Sequence, residues 1–200
     1  MSAKDSSFVS MLITLVVVTG VAALSLGFVF KFTEEPIAAA KAAKQMRAIQ
    51  GVVGDYDNDP LAESFIICKE GELFQKCETG DKTSLTFYPA SIQSELSATG
   101  IQTYSEKGYS GRIEIIVGVD QEGVIKNIEV VSHAETPGLG SKMSSPKFKD
   151  QFIGWKLEDQ PIKVKKDGGK VDAISGATIS SRAFSDAVQL ALEAYNQSEQ

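Results

Sequence analysis

Residues 172–178 carry the combination of residue types that most directly suggests ligand chemistry, because they read Asp-Ala-Ile-Ser-Gly-Ala-Thr just before a helical pattern. Gly176 and Ala177 have little side-chain bulk, so a ligand can approach the backbone closely. Thr178 places a hydroxyl at the start of the last predicted helix, where unpaired N–H groups attract a phosphate. The same residues also suit a tight turn and a helix capped by Ser175 or Thr178. Local spacing alone leaves both interpretations open.

Two upstream segments strengthen the ligand interpretation. Residues 133–140 read His-Ala-Glu-Thr-Pro-Gly-Leu-Gly, and residues 108–111 read Gly-Tyr-Ser-Gly. Taken with residues 172–178, and in this order and spacing, they resemble the motifs of the FMN-binding domain family. The resemblance extends from about residue 100 to the end of the chain.

This resemblance implies that a flavin is held by a covalent bond. In the family, FMN is joined through its phosphate to the last threonine of the motif, which here is Thr178. Because a threonine hydroxyl is a poor nucleophile unaided, attachment should need an enzyme. The family implies a flavin transferase that takes FMN from FAD and recognises a pattern that includes Asp172, for which a solvated turn carboxylate is the alternative. The resemblance gives Asp172, Ser175, Gly176 and Ala177, together with Thr178, as the cofactor-binding residues of the motif.

The family loop at 135–140 borders the flavin. The resemblance implies that Glu135, Thr136 and Leu139 line the isoalloxazine ring, with hydrogen bonds from Thr136 and an apolar wall from Leu139. A rigid Pro-Gly turn is the alternative for this loop. Its Gly-Leu-Gly does not indicate a dinucleotide-binding fold, because Met143 occupies the third glycine position and no strand–turn–helix unit surrounds it.

Four other residues have a candidate role and a more ordinary one. Lys142 is placed to pair with the phosphate, although a solvated lysine is the simpler interpretation. His133 is read as structural rather than as a proton donor. Tyr109 and Trp155 are aromatic residues that either stack on the flavin or pack in the core. Core packing is the default prediction for both.

The resemblance also implies a role in electron transfer. With one transmembrane segment and 200 residues, the chain resembles the G subunits of Rnf complexes, which couple ferredoxin:NAD electron transfer to ion translocation. The implied partners are the other membrane and peripheral subunits of such a complex. The chain would carry electrons inside that larger enzyme rather than be a complete enzyme. The alternatives are the C subunit of the sodium-translocating NADH:quinone reductase and a flavin-free anchored interaction module.

Composition excludes several other classes of function. A net charge of −6 argues against nucleic acid as a partner. One histidine and two cysteines are too few for a typical zinc site or an iron–sulfur cluster. Cys68 and Cys77 are read either as reduced buried thiols or, in an oxidising compartment, as a disulfide between adjacent strands. The disulfide is the prediction, because it agrees with an extracytoplasmic domain.

Residues 8–30 contain no charge and are long enough to cross the lipid bilayer. A cleaved signal peptide has a shorter apolar core, so an uncleaved anchor is predicted. The lysines and the arginine that follow the anchor favour a cytoplasmic domain by the positive-inside rule. The family instead implies a bacterial inner-membrane protein with its large domain on the periplasmic side, and long domains translocate largely regardless of charge.

The remaining patterns predict an α+β domain. We divide the chain into a cytoplasmic tip and anchor at 1–33, a linker helix at 34–60 that starts at Glu34-Glu35-Pro36, and a mixed domain at 61–200. Strands are predicted at 64–68, 73–77, 85–88, 112–119 and 124–132, a loop at 133–142, a short helix at 145–152 and a final helix at 179–195. Residues 92–100 have no clear pattern. The linker helix either continues from the membrane or packs on the domain.

Overall fold

The computed structural model describes residues 8–71, 73–78, 80–81, 83–158 and 161–198. It contains a long N-terminal helix, a six-stranded sheet and a C-terminal helix. The helices are α1 (Phe8–Val53), α2 (Pro146–Lys149) and α3 (Thr178–Ser198), with short 3₁₀ helices at Gly140–Ser144, Asp150–Phe152 and Lys165–Asp167. The strands are β1 (Phe65–Glu70), β2 (Leu73–Cys77), β3 (Leu85–Ile92), β4 (Glu95–Gly108), β5 (Gly111–Asp120) and β6 (Ile125–Ser132).

The predicted anchor and linker helix form one N-terminal helix, which is the alternative in which the linker continues from the membrane segment. No new helix starts at Glu34, because α1 runs without a break to Val53 and Pro36 lies inside it. A proline there removes one backbone hydrogen bond of the helix. Glu34 and Pro36 are exposed, so water can donate a hydrogen bond to the backbone carbonyl that loses its partner.

The chain divides into two compact units, Met1–Ala43 and Lys44–Gln200. The predicted linker at 34–60 therefore contains residues of both units. In the first unit, α1 is apolar and long enough to span a membrane, with a mean hydropathy of 2.5 in its most apolar window. In the second unit, the end of α1 is part of a hydrophobic core, because Ile49, Val52 and Val53 are buried.

All neighbouring strands of the sheet are antiparallel, in the order β2-β1-β3-β4-β5-β6. One face packs against α3 and the segment that contains α2, around Phe87, Phe152 and Phe184. The other face is covered by the end of α1, around Tyr88 and Ile116. The predicted α+β class is confirmed.

Strand β5 is apolar on both faces because each face has a cover. Ile115 and Val117 face the α3 side, whereas Ile116 lies in the cluster under the end of α1. Gly118 leaves room for this second cover: a Cβ added to it would lie 2.8 Å from the Cβ of Val52 and in conflict with the Val52 carbonyl. The glycine thus brings the helix backbone down onto the sheet.

The sequence pattern missed the whole of β4, because no strand was predicted between residues 88 and 112. The hairpin between β3 and β4 turns at Gln93 and Ser94, which have φ values of 53° and 67°. Two-residue hairpins of this kind usually use Asn and Gly, so these residues do not signal a turn. Asp57 stabilises it from another segment, since its Oδ2 accepts the Gln93 N–H at 2.6 Å.

Cys68 and Cys77 form a disulfide between β1 and β2, as predicted. They lie diagonally across the hairpin, since Cys68 is opposite Gln75 and Cys77 is opposite Ile66. The two cysteines are separated by nine positions in the sequence, so the bond closes a short loop.

Replacing both cysteines by serine should lower the free energy of unfolding by about 2–3 kcal/mol, because the unfolded chain regains the freedom that the crosslink removes. Chemical denaturation of the full chain in detergent measures this difference. The unchanged protein should take up no thiol reagent in freshly isolated membranes until it is reduced. Labelling of both thiols without a reductant would contradict the disulfide.

Candidate functional site

Thr178 is the first residue of α3 and its side chain is half-buried. The turn before it is closed by a hydrogen bond from the Ala177 N–H to the Ile174 carbonyl at 2.9 Å. Gly176 occupies this turn with φ of 76°, a conformation that residues with a Cβ rarely adopt. The glycine of the motif is therefore required by the backbone, in addition to leaving space for a ligand.

The first turn of α3 leaves its backbone donors free. Among the described residues, no acceptor bonds the N–H groups of Thr178, Ile179 or Ser180. In the described chain, no side chain caps these N–H groups. The nearby hydroxyl of Ser181 bonds the Ala177 carbonyl and the Ile174 N–H. The predicted cap by Ser175 or Thr178 is therefore not formed in the described chain. These free donors and the positive end of the helix dipole fit an anionic group beside Thr178.

The loop after β6 is held in a compact turn by its own backbone. The N–H groups of Leu139 and Ser141 both donate to the Thr136 carbonyl, at 3.2 and 3.3 Å. The Ser141 hydroxyl accepts the N–H of Gly138, which has φ of 77°. This turn leaves Thr136 and Leu139 exposed, so both remain available to a ligand.

Glu135, in contrast, points into the protein. It is only 4% exposed, and each carboxylate oxygen accepts one hydrogen bond. The donors are the Ser110 N–H at 3.1 Å, from the β4–β5 turn, and the Ser180 hydroxyl at 2.7 Å, from α3. Glu135 was expected to line the ring, but its buried carboxylate instead bonds the β4–β5 turn and α3. Thr136 and Leu139 form the exposed surface of the loop.

The two predicted motifs meet in space. A Cβ added to Gly176 would lie 3.4 Å from Cδ2 of Leu139. Gly140 is closer still to α3, since a Cβ there would lie 2.6 Å from the Ser180 hydroxyl oxygen. The residue pattern predicted that both segments border one ligand, and the fold brings them into contact although they are some 40 positions apart in the sequence.

Comparisons with known proteins agree with this arrangement. The FMN-binding domain model matches residues 108–193, which contain all three motifs. The G subunit of the ion-translocating oxidoreductase complex from Aliivibrio fischeri is 34% identical over 173 residues, covering 83% of this chain and 80% of its own. The corresponding protein of Shewanella loihica is 33% identical over 177 residues, covering 85% and 81%. The chain belongs to this family of G subunits.

Solved structures support the fold. The C subunit of the sodium-translocating NADH-quinone reductase from Parabacteroides distasonis superposes with a TM-score of 0.58 at 21% identity, covering 78% of this chain and 90% of its own. The Shewanella oneidensis NqrC structure gives the same TM-score at 20% identity, with 80% and 96% covered. At these identities the likeness concerns the architecture, whereas sequence relatedness points to the G subunits.

This G-subunit homologue has a cavity of about 570 Å³ next to its threonine motif. One wall is the segment before α3, including Asp172 and Ile174, and the other carries Lys142, Lys147 and Phe148. Within the described chain, neither lysine forms an ion pair, so their ammonium groups give the cavity positive charge. A lining of mixed polar and apolar side chains with two lysines suits a flat, polar-edged ring or a phosphate.

Asp172 and His133 have local partners. Asp172 is exposed and forms an ion pair with Lys165 at 2.7 Å, which agrees with the alternative of a solvated turn carboxylate. His133 accepts the Glu135 N–H through Nδ1 at 3.2 Å, which agrees with its structural interpretation.

The two aromatic candidates, Trp155 and Tyr109, differ in their burial. Trp155 packs at the edge of the main core, as the default prediction required. Tyr109 is 70% exposed, so the prediction of core packing was wrong for this residue. It lies in the tight β4–β5 turn between Gly108 and Ser110, and this turn leaves its ring outside the core.

Sequence reasoning missed the residues that hold the start of α3 in place. Ser180 bonds Glu135, and Arg182 pairs with Asp167 through two hydrogen bonds at 2.6 and 2.7 Å. These bonds lower the pKa of the Asp167 carboxyl and raise the pKa of Arg182. The sequence contained one signal for the role of Ser180. It is a polar residue at helical spacing from Ala183 and Phe184, which are buried. A polar residue on an apolar face requires a buried partner.

Proposed function

We propose that this chain carries FMN joined through its phosphate to the hydroxyl of Thr178, and that the flavin relays electrons within an Rnf-type complex that couples ferredoxin:NAD electron transfer to ion translocation. The observation that carries the proposal is the placement of a half-buried Thr178 at a helix start with free N–H groups. This start lies inside the FMN-binding domain match of a G-subunit homologue.

The surroundings of Thr178 support attachment by a separate transferase. In the described chain, the Thr178 hydroxyl makes no hydrogen bond to a side chain that could take its proton. A threonine without such a base is weakly nucleophilic. In the proposed reaction, a base of the transferase takes the hydroxyl proton, the hydroxyl oxygen bonds to the FMN phosphorus of FAD, the pyrophosphate bond breaks, and AMP leaves. The transferase would recognise the exposed residues Asp172, Ser175 and Gly176, and the buried Ala177 would leave room for Thr178 to be approached.

The attached flavin would supply the redox chemistry, since flavins exchange one or two electrons. The residues of this chain bind and orient it. The free N–H groups of α3 would hold the phosphate, the exposed Thr136 and Leu139 would border the ring, and Lys142 with Lys147 would provide positive charge.

The mass of the full chain, purified from a cell that makes its transferase, tests the attachment. We expect the intact protein to exceed its sequence mass by one FMN phosphoryl group, and peptide mapping to place that mass on Thr178. The denatured protein should keep flavin fluorescence. Flavin that is removed by dialysis would contradict covalent attachment, and a flavin-free native protein would favour the interaction module.

We further propose that the flavin domain lies outside the cytoplasm of a bacterial inner membrane. The Cys68–Cys77 disulfide supports this side, because disulfides persist in oxidising compartments and are rare in the cytosol. Protease added to intact spheroplasts should therefore digest the domain, while a cytoplasmic marker protein survives. Digestion only after lysis would place the domain in the cytoplasm, as the charges after the anchor suggest.

A further inference from the structure

Glu135 is a buried acidic residue whose oxygens both bond to segments other than its own loop. A buried carboxylate is costly unless its oxygens find donors. Here Oε1 accepts the Ser110 N–H and Oε2 accepts the Ser180 hydroxyl. One side chain thus connects the loop at 133–140 with the β4–β5 turn and with the first turn of α3.

Two glycines close around this carboxylate. A Cβ added to Gly108 would lie 2.7 Å from Oε1, and a Cβ added to Gly140 would lie 2.6 Å from Oε2. A Cβ this close to another heavy atom would force something to shift, and at Gly108 it would also conflict with the backbone carbonyl of Gly111. The absence of these two side chains therefore lets the three segments approach the carboxylate closely, and the two hydrogen bonds hold it between them.

The contact with Ser180 bears directly on Thr178. The two residues lie in the same helical turn, and the N–H groups around them are free among the described residues. On the other side of the carboxylate, Gly140 follows Leu139, whose side chain contacts the turn at Gly176. The Glu135–Ser180 bond therefore fixes the distance between the residue that would carry the phosphate and the loop that would border the ring.

We propose that Glu135 is a positioning residue for the flavin, and that it acts through Ser180. The proposal rests on the proposed function, because it concerns FMN carried by Thr178. Glu135 holds the start of α3 in register with the exposed loop residues Thr136 and Leu139. Since protein contacts of the ring stabilise the oxidised and reduced flavin differently, this register sets the midpoint potential.

Ser180→Ala tests the proposal in the full chain, produced together with a flavin transferase. The matched control is Ser185→Ala, because Ser185 lies on the same helix, is 1% exposed, and its hydroxyl has no hydrogen-bond partner among the described residues. We expect Ser180→Ala to change the relative stabilisation of oxidised and reduced flavin about tenfold, which is about 30 mV for a two-electron couple. Its visible circular dichroism should change as well, and the control should match the unchanged protein.

Glu135→Gln and Glu135→Ala separate positioning from simple packing. The Gln amide can still accept the Ser110 N–H and donate to the Ser180 hydroxyl, so we expect it to keep the parent potential and spectrum. The Ala variant leaves both donors without a partner and should shift both quantities as Ser180→Ala does. If Glu135→Ala does not fold, Ser180→Ala with its control decides the question.

Hydrogen exchange of protein made without the transferase gives a readout that needs no flavin. The amides of Ala177 and Ser181, which donate hydrogen bonds to the Ile174 and Ala177 carbonyls, should exchange faster in Ser180→Ala than in Ser185→Ala. The proposal is overturned if Ser180→Ala matches its control in potential, spectrum and exchange, or if Glu135→Gln shifts the flavin as much as Glu135→Ala. Failure of the proposed function is a different result, namely an unchanged protein without covalent FMN.

Discussion

Thr178→Val should lose all covalent flavin while the domain still folds. Valine has nearly the same shape but no hydroxyl, so no phosphoester can form. Thr178 makes no side-chain hydrogen bond in the described chain, and we therefore expect its replacement to change the free energy of unfolding by less than about 1 kcal/mol. Intact mass and in-gel flavin fluorescence of the full chain measure the loss.

Thr86→Val is the matched control for this experiment. Thr86 is also a half-buried threonine, but it lies on β3, outside all three motifs. This variant should be flavinylated to the same extent as the unchanged protein. If Thr178→Val keeps covalent FMN, the attachment residue is another one and the motif has been assigned incorrectly.

Gly118→Ala should be among the most destabilising small substitutions in the sheet. The new methyl group would conflict with the backbone carbonyl of Val52 and approach its carbonyl carbon to 2.6 Å, so the end of α1 would have to move. Overpacking of this kind costs about 1–3 kcal/mol. Chemical denaturation of the full chain in detergent should show a lower midpoint and an unchanged slope.

Gly100 provides a strict comparison, because it lies directly opposite Gly118 on β4. A Cβ there would meet its nearest neighbours, side-chain atoms of Ile116 and Val53, at 3.5 Å, which is ordinary contact. Gly100→Ala should therefore be neutral or raise the stability by up to about 1 kcal/mol, since alanine restricts the unfolded chain. Equal losses in both variants would show that the helix end does not rest on Gly118.

Local patterns predicted the elements whose causes are local. The apolar run at 8–30, the strands around Asp120 and the final helix follow from hydropathy and periodicity over short windows. The turn at Gly176 is also predicted locally, because the positive φ of this residue is the reason that a glycine is needed. The family assignment rested on three short motifs, and it was confirmed by relatives that match most of the chain. Attachment of FMN to Thr178 stays a prediction.

Other features could not be predicted from local patterns. The β3–β4 turn at Gln93 and Ser94 is stabilised by Asp57, and no local rule favours these residues there. Pro36 suggested a helix start, yet α1 continues through it. Tyr109 looked like a core aromatic residue, but the tight turn around it leaves its ring exposed.

The sequence by itself determined which residues can carry chemistry: a threonine hydroxyl after a Ser-Gly-Ala turn, a Pro-Gly loop, and an apolar anchor. Only the tertiary structure decided how they are arranged. It turned Glu135 inward to Ser180 and Ser110, brought Leu139 against Gly176, and packed the end of α1 on Gly118. The physical reason is that hydrophobic periodicity specifies which face of an element is buried, whereas the partner of a buried polar group depends on which segments the whole fold brings together.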